Sequence, residues 1–168
     1  MLHRADTHER FGMENCNPMV SPLAPHFKLS GKESPTTAEE VERMSMVPYA
    51  SAVGSLMYAM VCTRPDISQA VFVVSRYMAN PGKTHWEVVK RILLYLKGTI
   101  NTGLSFGGGT CQVSGYVDSD YAGDLDRRRS TTGYVFKIHG AQLVGGQCYK
   151  LQLLSLRRKR NIWLWLKA

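Results

Sequence analysis

The apolar pattern of this chain changes its period at Gly98, and that change constrains the fold more than any other feature. Before it, apolar residues recur at helical spacing in three successive segments. After it come short runs rich in β-branched and aromatic residues, LSF, QVSGYVDSD and TGYVFKI, separated by glycines. The 168 residues are enough for one ordinary domain or two small ones. The sequence therefore predicts an α+β fold, with a helical part before a small antiparallel sheet.

Three helices are predicted before Gly98, and their apolar stripes are expected to form the core. The helices cover residues 49–62, 66–79 and 84–97. The stripes are Val53, Leu56, Met57 and Met60; Ile67, Val71, Val74 and Met78; and Trp86, Val89, Leu93 and Leu96.

The ends of these helices carry local signals. Pro48 suits the start of the first helix, and Asp66 can cap the second. Thr84 and Glu87 form a capping box for the third helix, which Gly98 terminates.

Residues 1–47 are predicted to be an N-terminal helix followed by a proline-rich linker. Residues 3–13 can form the helix, and residues 15–35 contain four prolines, which remove amide donors and fix φ. No regular element is expected in that stretch. Thr37 and Glu40 then offer a capping box for a short acidic helix.

Three antiparallel strands are predicted near residues 102–106, 112–118 and 132–139. The run Gly107-Gly108-Gly109 is expected to be a hairpin loop, because no helix pattern follows it. Such an incomplete layer should expose an apolar face, and we expect marginal stability and aggregation from it.

The net charge of +8 suggests nucleic acid or an anionic surface as a partner, but its distribution is uneven. The chain up to Gly140 carries 15 Lys+Arg against 13 Asp+Glu. From Ala141 onward there is no acidic residue, and the basic residues are Lys150, Arg157, Arg158, Lys159, Arg160 and Lys167.

Several classes of protein are disfavoured by simple patterns. No apolar run is long enough to cross a bilayer. The N-terminus, MLHRADTHERFGMENC, shows no signal-peptide pattern, which predicts an intracellular protein by default. The four cysteines, Cys16, Cys62, Cys111 and Cys148, form no CxxC pair, so reduced thiols are expected rather than a zinc site or disulfides.

Two longer motifs carry a resemblance to a known family. VPYASAVGSLMYAMVCTRPDISQAVFVVSRYMANPGKTHWEVVKRILLYLKGT and GYVDSDYAGDLDRRRSTTGYVF resemble the Pol polyprotein of copia-type LTR retrotransposons, over roughly residues 8–141. The resemblance implies a helical connection after the reverse transcriptase region at residues 48–98 and truncated RNase H-like strands at residues 99–141. The aspartate pair of the family's polymerase site, expected in a YxDD-type hairpin before Met1, does not occur in this sequence.

The resemblance also places the first metal-binding carboxylate of RNase H at Asp118. Two-metal hydrolysis needs several carboxylates converging on ions about 4 Å apart. Asp120 and Asp124 are family background, in a strand end and a turn. Asp118 is therefore expected to be a vestigial ligand that does not bind a metal alone, or simply a strand-end aspartate in water. No cofactor is expected.

Residues 142–168 depart from the family pattern, which continues with a strand and a helix marked STTEAEY, whose second glutamate is the next metal ligand. Permitted codons for Asn161–Lys167, read one nucleotide back, give EYMALAE. Over the whole tail, such codons yield AISWRSMLQATVALSTTEAEYMALAE. We therefore predict a single-nucleotide frameshift near Gly140-Ala141 and a non-native, out-of-frame basic tail.

Two classes of function remain open, with a minor third. The leading hypothesis is a non-catalytic Pol-derived fragment without polymerase or RNase H activity. On this hypothesis the cluster Arg157-Arg158-Lys159-Arg160 is a by-product of shifted codons, able to bind nucleic acid weakly and nonspecifically at most. A nuclease would need its missing carboxylates from another chain.

The alternative is a secreted RxLR-type virulence effector that binds a host protein in the nucleus or cytoplasm of a plant cell. Copia-like fragments are also known among secreted RxLR effectors of oomycete plant pathogens. This sequence contains no Arg-x-Leu-Arg, and Arg91-Ile92-Leu93-Leu94 is the nearest approach to that motif.

Overall fold

The protein consists of two compact units, Met1–Thr102 and Gly103–Ala168. The computed structural model describes residues 11, 13, 16–24, 27–102 and 113–138, and the backbone of residues 141–149. The first unit is helical and the second contains an antiparallel sheet, which confirms the predicted α+β class. The helix predicted over residues 3–13, and the strand over residues 102–106 with its glycine loop, lie outside the described residues.

The described part of the first unit contains four α-helices and two short 3-10 turns. The 3-10 turns are Gly31–Glu33 and Pro65–Ile67, and the capping box of Thr37 and Glu40 at the first α-helix is confirmed. No single helix in this part of the chain is long and apolar enough to cross a membrane; the helices Ala38–Ser45 and Tyr49–Cys62 reach that length and composition only as a pair bent by 49°. The α-helices are α1 (Ala38–Ser45), α2 (Tyr49–Cys62), α3 (Ser68–Ser75) and α4 (Lys83–Gly98).

The helices predicted over residues 49–62 and 84–97 are confirmed, but the middle one is shorter than predicted. In a continuing helix the Val74 carbonyl would accept from the N–H of Met78. It accepts instead from the backbone N–H of Tyr77 at 3.2 Å and from the hydroxyl of Tyr49 at 2.8 Å. The α-helix therefore ends at Ser75, and turns follow.

The capping box predicted at Thr84 and Glu87 is wrong. Helix α4 begins one residue earlier, with Gly82 as its N-cap. The N–H of Gly82 donates to Nδ1 of His85 at 2.8 Å. His85 is fully buried, and its ring stacks on Tyr77 with centroids 4.0 Å apart. The cap is therefore a buried imidazole rather than an exposed carboxylate.

The core of the first unit comes from the facing sides of α2, α3 and α4. Met57 and Met78 are 42% and 40% exposed, against prediction. The buried face of α2 turns Met57 outward, and Met78 lies beyond the end of α3. Trp86, Leu96 and Met60 pack against the core while partly exposed. The stripe residues that are buried as predicted are Val53, Leu56, Ile67, Val71, Val74, Val89 and Leu93.

The proline-rich stretch was predicted to be a linker, but its described part packs along α4. We call its described part, residues 16–24 and 27–33, the strap. The backbone N–H of Met19 donates to the Leu94 carbonyl at 3.3 Å, and Nε of Arg91 donates to the Ser21 carbonyl at 3.2 Å. Leu29 is 3% exposed, and its carbonyl accepts from the Tyr77 hydroxyl at 2.8 Å. The strap includes the 3-10 turn at residues 31–33, although no regular element was expected there.

Two glycines allow the strap to lie close to the ends of α4. A Cβ at Gly82 would collide with the carbonyl of Glu33. A Cβ at Gly98 would lie 2.9 Å from Cβ of Pro18 and 3.3 Å from the carbonyl oxygen of Met19. Backbone atoms cannot swing aside as a flexible side chain can, so position 82 requires glycine. A side chain at position 98 would require the Pro18 ring to shift.

An ion pair ties the turn after α2 to the end of α4. Arg64 is 7% exposed and donates to both carboxylate oxygens of Asp66, at 2.9 and 2.7 Å. Its guanidinium also donates to Oγ1 of Thr99 at 2.7 Å, and the Tyr95 hydroxyl donates to Asp66 at 2.8 Å. Asp66 therefore does not cap α3 as predicted; its carboxylate already accepts from these two side chains.

The same contacts determine the ionisation of Asp66. Burial raises the pKa of this carboxyl, but hydrogen bonds from Arg64 and Tyr95 outweigh burial and hold the pKa below its ordinary value. The pKa of Tyr95 is raised by burial and by its bond to Asp66.

The second unit contains strands β1 (Val113–Ser119), β2 (Thr131–Ile138) and β3 (Ala141–Tyr149) in its described part. The strands are antiparallel in the order β1-β2-β3, with an irregularity between Phe136 and Lys137. The strands predicted near residues 112–118 and 132–139 are confirmed as β1 and β2. Strand β3 was not predicted, because it lies in the segment expected to be out of frame.

We expect Gly82→Ala to destabilise the first unit by about 1–3 kcal/mol, because the new methyl group must displace backbone of the strap. Gly54→Ala is the matched control. Gly54 is exposed in mid-helix, and a Cβ there meets nothing within 4 Å, so the control should stabilise by about 0.5–1 kcal/mol. Urea unfolding followed by circular dichroism at 222 nm measures both. Equal effects of the two variants would contradict the close approach.

We expect Asp66→Asn to flatten the loss of stability in acid. Since the folded pKa of Asp66 is lowered, its contribution is complete above the ordinary value of about 3.9 and is lost as pH falls through the folded pKa. The free energy of unfolding, measured from pH 7 to pH 2, should therefore depend less on pH in the variant. Glu87→Gln, at an exposed position on α4, should keep the wild-type slope. An unchanged slope in Asp66→Asn would disprove the assignment.

Candidate functional site

Asp118, the predicted metal ligand, lies near the end of β1. Its side chain is exposed, and its Oδ1 accepts from the backbone N–H of the adjacent Ser119 at 2.8 Å. Across the sheet it is paired with Gly133 of β2. The carboxylate thus has a local hydrogen bond and stands at the surface of the sheet.

Asp120 closes the hairpin between β1 and β2. Both of its carboxylate oxygens accept from Thr131, one from the backbone N–H and the other from Oγ1 at 2.7 Å. Its own N–H donates to the Thr131 carbonyl at 3.1 Å. A Cβ at Gly123 would collide with the Asp120 carboxylate, so the loop folds back tightly over this side chain.

Asp124 holds the tip of the same hairpin from inside. It is 2% exposed, and its Oδ1 accepts from the backbone N–H groups of Asp126 at 2.9 Å and Arg127 at 3.2 Å. Its backbone N–H donates to the Arg129 carbonyl at 3.1 Å, and its carbonyl accepts from Arg128 at 2.9 Å. Arg128 has a φ of 52°, in the left-handed region, which these bonds support.

The three aspartates therefore do not form a two-metal site. Asp120 and Asp124 direct their oxygens at backbone amides and a hydroxyl of the hairpin, and the exposed Asp118 accepts from the adjacent amide of Ser119. Among the described residues, no three His, Cys, Asp or Glu side chains are arranged so that they could hold a metal ion. The donor set does not fit two metal ions. That Asp118 does not bind a metal alone stays a prediction. The basic cluster at residues 157–160 lies outside the described residues.

The sequence did not reveal that Asp124 is a structural anchor. Asp before a turn commonly accepts from backbone amides two or three residues later, so the run Gly123-Asp124-Leu125-Asp126 contained the signal. Its near-complete burial could not be read from that run, because it depends on how the loop folds over it.

Comparison with known proteins identifies relatives that extend far beyond this chain. It is 59% identical over 135 residues to the retrovirus-related Pol polyprotein from transposon TNT 1-94 of Nicotiana tabacum, covering 80% of this chain and 10% of that protein. It is 40% identical over 127 residues to the corresponding polyprotein from transposon RE1 of Arabidopsis thaliana, covering 75% and 8%. No family model and no solved structure matches the chain.

A shorter relative comes from an oomycete. The chain is 52% identical over 98 residues to secreted RxLR effector protein 161 of Plasmopara viticola, covering 58% of this chain and 69% of that protein.

The helical unit, the small sheet and these identities together define a retrotransposon-derived protein. The chain belongs to the family of copia-type retrotransposon Pol polyproteins, as its motifs predicted, and spans about a tenth of the length of the Pol relatives described above.

We expect Asp124→Ala to destabilise the hairpin by about 2 kcal/mol, because the backbone amides of Asp126 and Arg127 lose the buried carboxylate that accepts from them. Hydrogen exchange of the Asp126 and Arg127 amides, measured by NMR on the full chain, should accelerate accordingly. Asp118→Asn is the matched control; it removes an exposed charge and should leave exchange at these amides unchanged. Protection that survives in Asp124→Ala would show that the loop is held by other contacts.

Proposed function

We propose that this chain is a non-catalytic segment derived from a retrotransposon Pol polyprotein. The observation that carries the proposal is the use of the three aspartates. Asp120 accepts from Thr131, Asp124 accepts from the hairpin amides, and the exposed Asp118 accepts from the amide of Ser119. Hydrolysis by two metal ions needs convergent carboxylates that activate water and stabilise the leaving oxygen. The proposal assigns the sheet to an incomplete RNase H-like domain.

The tail supports the same proposal. The match to the TNT 1-94 polyprotein covers 80% of the chain, and residues 142–168 have a composition unlike the rest, with six basic and no acidic residues. We propose that this segment is read out of frame from codons that once encoded the STTEAEY helix. Strand β3 is compatible with that origin, because ladder pairing uses backbone N–H and C=O groups that every shifted codon except one for proline still provides.

A second candidate function is that of a secreted effector that acts by binding a host protein. The 52% identity to RxLR effector protein 161 over 98 residues favours it. The two candidates differ in where the protein is found. Detection of the chain in the culture filtrate of a plant pathogen would favour the effector, whereas a host-genome transcript flanked by a long terminal repeat would favour the transposon segment.

The proposal that the chain lacks nuclease activity is tested with the full chain and a labelled RNA–DNA hybrid. We expect no Mg²⁺-dependent cleavage by the wild-type chain, and the Asp118→Asn variant should give the same background signal. A repaired protein, with one nucleotide inserted or deleted near codon 141 and the frame extended, is the positive control. There the restored glutamate should approach Asp118 and support cleavage that Asp118→Asn abolishes. Cleavage by the present chain that depends on both Mg²⁺ and Asp118 would overturn the proposal.

The frame is tested separately by sequencing the gene. If the codons for Gln142 to Ala168 do not spell a copia-type continuation one nucleotide back, the frameshift is excluded and the tail is a selected feature.

A further inference from the structure

A buried histidine that the proposed function does not use lies in the first turn of α4. His85 is fully buried, and its Nδ1 accepts from the backbone N–H of Gly82 at 2.8 Å. An imidazole nitrogen that accepts a hydrogen bond carries no proton, so this geometry assigns a neutral ring with its one hydrogen on Nε2. The bond to Gly82 therefore exists in only one protonation state of the side chain.

Protonation converts this acceptor into a donor. An imidazolium donates from both ring nitrogens, so its Nδ1–H would face the Gly82 N–H across 2.8 Å, and two donors do not bind each other. The position also has no exposed surface, and a buried charge is far more costly than a buried neutral ring. His85 must therefore leave this position to take up a proton.

The contacts of His85 lead directly to the strap. Its ring stacks on Tyr77 with centroids 4.0 Å apart, and the Tyr77 hydroxyl donates to the Leu29 carbonyl at 2.8 Å. Gly82, which His85 caps, lies so close to the Glu33 carbonyl that no side chain fits between them. One imidazole thus supports both of the groups against which residues 27–33 of the strap lie.

The charged groups near His85 favour its neutral form. Cζ of Arg76 lies 5.5 Å from the centroid of the Tyr77 ring on which His85 stacks, and one positive charge there opposes a second. The lysines and glutamates of the surrounding elements are exposed, so water screens their charges. The titratable and charged side chains on the elements packed against His85 are Lys28, Lys32 and Glu33 of the strap, Tyr49 of α2, Arg76 and Tyr77 after α3, and Lys83 and Glu87 of α4.

We propose that protonation of His85 releases residues 27–33 of the strap from the start of α4. Above the ordinary histidine pKa of about 6.5, the closed arrangement is complete. As the pH falls below that value, the released form binds a proton that the closed form cannot hold, so release becomes more favourable by about tenfold per pH unit. This switch uses groups of the first unit alone and does not depend on the proposed lack of nuclease activity.

The test measures amide hydrogen exchange of the full chain by NMR from pH 8 to pH 5, as the ratio of the intrinsic to the observed exchange rate. Ordinary carboxyl groups titrate below this range. In wild type, the ratio should fall about tenfold per pH unit below about pH 6.5 at Gly82 and at Glu33, whose N–H donates to the Ser30 carbonyl within the strap at 3.1 Å. The amide of Leu93, a fully buried residue of α4, is the internal reference and should keep its ratio.

Two variants assign the effect to one side chain. His85→Gln keeps an acceptor for the N-cap N–H, as glutamine does at this helix position in a capping box, but it does not titrate. Its ratios at Gly82 and Glu33 should therefore stay constant from pH 8 to pH 5. His139→Gln, in the second unit, is the matched control and should keep the wild-type pH dependence.

Three results would overturn the proposal. A constant ratio at Gly82 or at Glu33 in wild type would show that the strap stays in place, and that measurement needs no variant to fold. A parallel loss of protection at Leu93 would show global unfolding instead of release. A pH dependence that survives in His85→Gln would show that another group titrates.

Discussion

The contact between the Glu33 carbonyl and Gly82 is the point on which the first unit depends. It brings the strap to the start of α4, where a side chain on residue 82 would prevent the approach. The N–H of Gly82 is satisfied by His85, whose ring stacks on Tyr77. The Tyr77 hydroxyl in turn binds the Leu29 carbonyl, which returns to the strap. Steric room at one glycine thus permits a closed series of buried polar contacts, and burial without such partners is costly.

The other end of α4 shows how a buried charge is accommodated in the same unit. Arg64 is nearly buried, yet its guanidinium donates to Asp66 and Thr99. A buried charge is tolerated when a counter-ion and hydrogen bonds replace its water. Because Thr99 immediately follows α4 and Asp66 lies in the turn after α2, these hydrogen bonds link the ends of two helices that also pack through the apolar core.

Features that depend on neighbouring residues could be predicted from the sequence, whereas features that depend on how distant parts of the chain pack could not. The apolar periods of α2 and α4 are local, and the sequence predicted both helices. The early end of α3 depends on Tyr49, a residue distant in sequence that no local pattern includes. The start of α4 rests on His85, only three residues after Gly82, but the burial that makes this imidazole a cap depends on the packing around it. At the candidate site, the position of Asp118 on β1 was predictable from its motif, whereas the burial of Asp124 was not, because a loop must first fold over it.

The same contrast between local and distant contacts explains why a Pol-derived segment can keep its fold while, as proposed, it lacks nuclease activity. The contacts described above for the strap, the helices and the hairpin all lie within their own unit, so none of them requires another part of a polyprotein. Two-metal hydrolysis has the opposite requirement, since its carboxylates must converge from elements far apart in the chain. Asp120 and Asp124 stabilise the hairpin whether or not a metal is bound. Their retention in a chain that does no hydrolysis would therefore follow from folding alone.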